Sequence, residues 1–121
     1  MTLNSILLVA LGGAIGAPVR YLLGKWALNA LGGRFPWGTW IINISGSLLL
    51  GALFAAESRM PGWVYPLLGI GFAGAYTTFS TFGYETVQLL ESRRLAAAAV
   101  YIVSSALLGL LAAALGAALA G

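Results

Sequence analysis

Four apolar stretches separated by three short connectors constrain this chain more than any other feature. A helix crosses a bilayer with about 20 predominantly apolar residues. The first stretch runs from about Leu3 to Leu23, and on to Leu31 depending on how deep Arg20 and Lys25 sit. The second runs from about Thr39 to Ala56, the third from about Trp63 to Leu90 and the fourth from about Leu95 to Ala120. Only 7% of the 121 residues are charged, against about 25% in water-soluble domains. Too few charges remain to cover a soluble globule. The expected fold is therefore an all-α integral membrane domain over residues 1–121, with four transmembrane helices and no soluble domain. The amino terminus lacks the positive n-region of a signal peptide, so the first stretch is expected to be retained as a span.

The connectors carry turn-forming and basic residues: Gly32 to Gly38, Glu57 to Gly62, and Glu91 to Arg94. Trp26, Trp37, Trp40, Trp63 and Tyr65 fall near span ends, where aromatic rings favour the headgroup zone. Short connectors imply antiparallel neighbours, and an even span count puts both termini on one side. On that topology Lys25, Arg34, Arg93 and Arg94 face one side, while Arg59 faces the other with the amino terminus. Gly12 and Gly16, Gly13 and Ala17, and Ser47 and Gly51 are small residues four apart. They favour close helix contact, within or between subunits. Four short helices enclose little interior, so a route through the membrane is expected to need more than one copy.

Several chemistries are excluded. With no Cys and no His, disulfides, thiol catalysis and the usual transition-metal ligands are absent. The net charge of +3 comes from scattered residues, not from a nucleic-acid-binding cluster. Gly69 to Gly74 matches G-x-G-x-x-G by letter, but it lacks the βαβ context and the downstream acid of a nucleotide site. No hydroxyl has a conventional base partner, so no enzyme is expected.

The polar residues are concentrated. Tyr76 to Tyr84 reads Tyr-Thr-Thr-Phe-Ser-Thr-Phe-Gly-Tyr, with six hydroxyls in nine residues. Such a row in hydrocarbon either lines something wet or charged, or bonds neighbouring helices and its own carbonyls. Glycine weakens a helix, and the stretch from Gly74 to Thr78 is where the third helix is expected to break mid-membrane. Broken membrane helices expose backbone groups that bind ions. Thr39, Asn43 and Ser47 share one face of the second span, and Asn43 brings two N–H donors and a carbonyl. Phe79 and Phe82 share a face, with Ser80 and Thr81 between them and Glu85 one turn beyond Thr81. Two such phenylalanines can simply be packing, yet ring edges are electropositive. Ring edges with hydroxyl and amide donors suit a small anion losing its water, whereas a cation site would want oxygens and acids. Tyr101 and Ser105 add hydroxyls at i, i+4 on the fourth span. Arg20 on the first span either marks a pathway or snorkels to the interface.

With these residues in view, the chain resembles the small fluoride channels called Fluc or CrcB proteins, over essentially its whole length. The resemblance rests on Gly12 to Tyr21, on Gly38 to Gly46 and on Gly74 to Phe82. It implies a fluoride-selective passive channel of the cell's inner (plasma) membrane that exports fluoride from the cytoplasm. It implies an antiparallel, dual-topology homodimer with two pores along the subunit interface. Phe79 and Phe82 would turn ring edges to fluoride, and Asn43, Ser80 and Thr81 would form the polar track, extended by Tyr101 and Ser105. Arg20 would draw anions into a vestibule. The carbonyls of Gly74 and Thr77 would hold a structural Na+ at the dimer centre. Dual topology goes with a weak Lys/Arg bias, and the uneven loop charges here depart from it. No nucleotide or nucleic acid partner is implied.

A small multidrug-type, proton-coupled exporter of organic cations is the alternative, with the same size and span count. That mechanism needs a first-span carboxylate. Glu57, Glu85 and Glu91 all lie elsewhere, and the first-span charge is Arg20.

Overall fold

The computed structural model describes residues 2–121, and the described residues form helices and short connectors. Helix α1 spans Leu3–Leu31, with the Thr2 side chain accepting the Ser5 N–H at 3.1 Å as its N-cap. It passes through Pro18 and ends at Gly32, whose φ of 83° and N–H bond to Leu28 O complete the turn. Glycine takes that left-handed conformation without a Cβ clash. Helix α2 spans Trp37–Ala56 and runs into a 3₁₀ turn at Glu57–Arg59.

The third segment departs from a plain helix. Its first half, α3, is a π-helix over Tyr65–Ala73 followed by one α-turn at Gly74–Tyr76. Gly74 is itself helical, with φ −62° and ψ −38°, so glycine does not break the helix. The chain leaves helical geometry at Thr77 (ψ 157°) and Thr78 (φ −149°, ψ 120°). Helix α4 then restarts over Phe79–Glu91 and α5 spans Leu95–Ala120. Three stretches, Leu3–Leu31, Trp37–Arg59 and Leu95–Ala120, are single helices long and apolar enough to cross a membrane. The remaining expected crossing, the third in the chain, falls on α3 and α4 together.

The packing shows where the apolar surface points. Only 11% of the apolar window of α1 and 6% of that of α5 is buried, so most of their side chains face outward, as in a lipid-exposed protein. The chain is a multi-pass membrane protein. Helix α2 packs along α5, and α1 packs along α3. A Cβ on Gly16 would run into the Phe72 carbonyl, and one on Gly51 into the Ala113 carbonyl. The small residues of α1 and α2 therefore serve contacts inside one chain. Helix α4 rests on the first half of α5, where Leu89, Ala98 and Tyr101 are buried with Phe35, Trp40, Phe82 and Ala97 around them. Its end is a Schellman turn: the Arg93 N–H donates to Leu90 O and the Arg94 N–H to Leu89 O, with Arg93 at φ 58°.

Candidate functional site

The break between α3 and α4 is built by side chains that take over backbone bonds. The Thr77 N–H and hydroxyl both donate to Ala73 O, at 3.0 and 2.9 Å, and close the last turn of α3. Thr78 is the N-cap of α4, its hydroxyl oxygen accepting the Thr81 N–H at 3.3 Å. The Asn43 side chain reaches over from α2. Its Nδ2 donates to Thr78 O at 2.9 Å, and its Oδ1 accepts the Thr78 N–H at 2.8 Å. One of the two Asn43 N–H donors is thereby committed and the other remains. The Ser47 hydroxyl donates to the Asn43 backbone carbonyl at 2.8 Å, so Thr39, Asn43 and Ser47 do share a face but do different work.

Around this break lie the expected ion-path residues. Phe79 is 84% exposed, Ser80 and Thr81 are exposed, and Phe82 is half-buried. The two rings sit 6.0 Å apart at 37°. The Thr78 hydroxyl links Ser80 and Thr81, at 3.4 and 3.1 Å. Phe82 lies 5.0 Å from the Tyr101 ring, and the Tyr101 hydroxyl donates to Glu85 Oε1 at 3.0 Å. Asn43, Ser80, Thr81 and the two phenylalanines thus cluster at the break, and Tyr101 joins them through Phe82. Ser105 stands apart. Its Oγ is buried with no hydrogen-bond partner, while neighbouring Ser104 accepts from Trp40 Nε1 at 3.0 Å.

Arg20 lies on an open recess of about 820 Å³ that reaches the break through Thr78 and Thr81. Lys25, Arg34 and Arg94 line the same recess, with Glu85 as the acid among them. The Arg94 guanidinium donates to the Arg34 carbonyl and ties the two connectors at that end. Arg59 is at the opposite end, where its guanidinium donates to the Ala120 carbonyl. The recess is strongly basic, and a concave basic wall raises the local concentration of anions.

The Gly74 and Thr77 carbonyls end α3, where no further α3 turn follows. Gly74 is exposed and Thr77 half-buried. Neutral oxygens of this kind suit a hard cation, and backbone freed at a helix break is the donor set seen in membrane ion sites. The residues present fit a sodium ion. Thr78 escaped the sequence reading as a site residue, although a Thr just before a restarted helix is an N-cap signal. The recess cations Lys25, Arg34 and Arg94 were visible only as loop charges.

The chain is similar over most of its length to known proteins. A family model described as "CrcB-like protein, Camphor Resistance (CrcB)" matches residues 7–117. The "Fluoride-specific ion channel FluC" of Anaeromyxobacter dehalogenans is 47% identical over 117 residues, covering 94% of this chain and 92% of that protein. Its namesake in Thermus thermophilus is 42% identical over 123 residues, covering 100% and 97%. That of Leptospira interrogans is 50% identical over 93 residues, covering 74% and 72%.

Proposed function

This chain belongs to the CrcB-like protein family, and we propose that it is a fluoride channel: a passive, multi-pass pore of the inner (plasma) membrane that lets fluoride leave the cytoplasm. It is not an enzyme. α3 and α4 together form one crossing, interrupted mid-membrane, and bring the number of spans to four. Two copies inserted in opposite orientations complete the pores, because a single chain leaves Phe79, Ser80 and Thr81 open to the outside. Two pores then follow from the symmetry of the pair.

The observation that carries this is the convergence at one helix break of the ring pair Phe79 and Phe82, the free N–H of Asn43 and the hydroxyls of Ser80 and Thr81. Fluoride sheds water only if weak donors replace it along the whole path. Ring edges and hydroxyls supply such donors without binding the ion so firmly that it stays. Ser105 extends the donors along α5, its orphaned Oγ having a hydrogen-bonding capacity that no neighbour uses, and Tyr101, whose one O–H is given to Glu85, borders the track through its contact with Phe82. Arg20 sits in the vestibule and concentrates anions at its mouth. The carbonyls of Gly74 and Thr77, from both copies, would hold the sodium ion at the dimer centre. A bound sodium supplies positive charge that compensates backbone left unpaired by the break.

The exporter alternative has no support, since α1 carries Arg20 and no carboxylate and the relatives carry channel names. Purified protein in liposomes should release trapped fluoride on addition of an ionophore that balances charge. Phe79→Ile should cut that release while the dimer stays intact by size-exclusion chromatography. Undiminished release would remove Phe79 from the pore.

A further inference from the structure

Two backbone amides decide what the carbonyls at the break can do. In an unbroken α-helix the Thr78 N–H donates to Gly74 O and the Thr81 N–H to Thr77 O. Here both are diverted to side chains. The Thr78 N–H goes to Asn43 Oδ1 at 2.8 Å, and the Thr81 N–H to the Thr78 hydroxyl at 3.3 Å. Asn43 also donates to Thr78 O, so one amide side chain satisfies both backbone groups of a single residue. The Thr77 hydroxyl is spent on Ala73 O. The groups released by these exchanges are the Gly74 and Thr77 carbonyls.

We infer that Asn43 is the latch that holds the break open, and that by taking the Thr78 N–H it keeps the Gly74 carbonyl free for a hard cation. The inference rests on the sodium site proposed above and adds the residue that prepares it. A buried N–H does not stay unpaired. Without the Asn43 amide, the Thr78 N–H has its helical partner, Gly74 O, four residues back. The bond that forms there would resume the helix and remove a cation ligand. Asn43 therefore positions the cation site while its second N–H faces the ion path. The two are coupled through one side chain: changing Asn43 costs both, whereas changing Phe79 costs fluoride passage alone.

The sequence contains a single Thr-Thr pair, Thr77–Thr78. Threonine labelled with ¹³C at the carbonyl and ¹⁵N at the amide therefore gives one carbonyl–nitrogen correlation in solid-state NMR of the full chain in lipid. That peak reports the proposed ligand carbonyl and the latched amide together. In the wild type, sodium replacing N-methyl-glucamine should shift the Thr77 carbonyl. In Asn43→Ala the Thr78 nitrogen should move without sodium, and half-saturation by sodium should need about 10- to 100-fold more ion, as when a group orienting a metal ligand is removed. Asn43→Asp keeps an oxygen for the Thr78 N–H and should retain the sodium response, which covers the case that the alanine variant does not fold. Phe79→Ile should titrate like the wild type. An Asn43→Ala peak that coincides with the wild type and answers sodium equally would overturn the latch, as would loss of the sodium response in Asn43→Asp. A wild-type peak indifferent to sodium, with the Thr78 nitrogen still moved in Asn43→Ala, would sink the sodium site and leave the latch standing.

Discussion

The Tyr101 hydroxyl donates to Glu85 Oε1 at 3.0 Å across the contact between α5 and α4. Tyr101 is fully buried, with the Phe35 ring edge-on at 5.4 Å and the Phe82 ring at 5.0 Å. Helix α4 touches the rest of the chain chiefly along α5, so this bond and the surrounding rings hold the half-helix that carries Phe79 and Phe82. The position of the proposed ion path thus depends on a residue of the last helix.

Tyr101→Phe keeps the ring and removes the donor. Leaving a part-buried acceptor unpaired costs about 1–3 kcal/mol. Denaturant unfolding in detergent should show a loss in that range. Tyr101→Ala, which also empties the ring's space, should lose about 3–5 kcal/mol. No loss in Tyr101→Phe would mean that the hydrogen bond contributes nothing, and equal losses in the two variants would mean that the ring's packing contributes nothing.

Arg93 sits at φ 58° in the Schellman turn that ends α4. A residue with a Cβ carries a penalty of about 1–2 kcal/mol in that conformation, which glycine avoids. Arg93→Gly should raise stability by about that amount with fluoride release unchanged. A drop in stability would show that the arginine side chain makes a contact worth more than the strain.

Arg20→Gln should slow fluoride release at low ionic strength, where the recess charges are felt over about 30 Å at 0.01 M salt. At 1 M salt, with a screening length of about 3 Å, the variant and the wild type should converge. A deficit independent of salt would assign Arg20 a contact role in place of a field effect.

Much of this was legible in the sequence because membrane folding leaves few options. The apolar stretches set the spans of α1, α2 and α5 to within a few residues, and hydroxyl density marked the break. Its position was less legible. Glycine weakness pointed to the stretch from Gly74 to Thr78, which contains the interruption, but the residue at which it falls is set by a tertiary bond, since the Asn43 amide pairs with Thr78. No local pattern around residue 78 contains Asn43. The π-winding of Tyr65–Ala73 was equally hidden, because it accompanies backbone-to-backbone packing of α1 against α3 at Gly12 and Gly16. The recess shows the same limit: Arg94 is 60 residues from Arg34 and joins it and Lys25 only once the two connectors fold together.

The most direct test compares two halides in one preparation. Liposomes holding the purified protein are loaded with equal fluoride and chloride, and the release of each is followed by ion-selective electrodes. A path of weak donors and ring edges fitted to a small ion should empty the fluoride and retain the chloride. Release of both at similar rates, or of neither, would contradict the proposed channel.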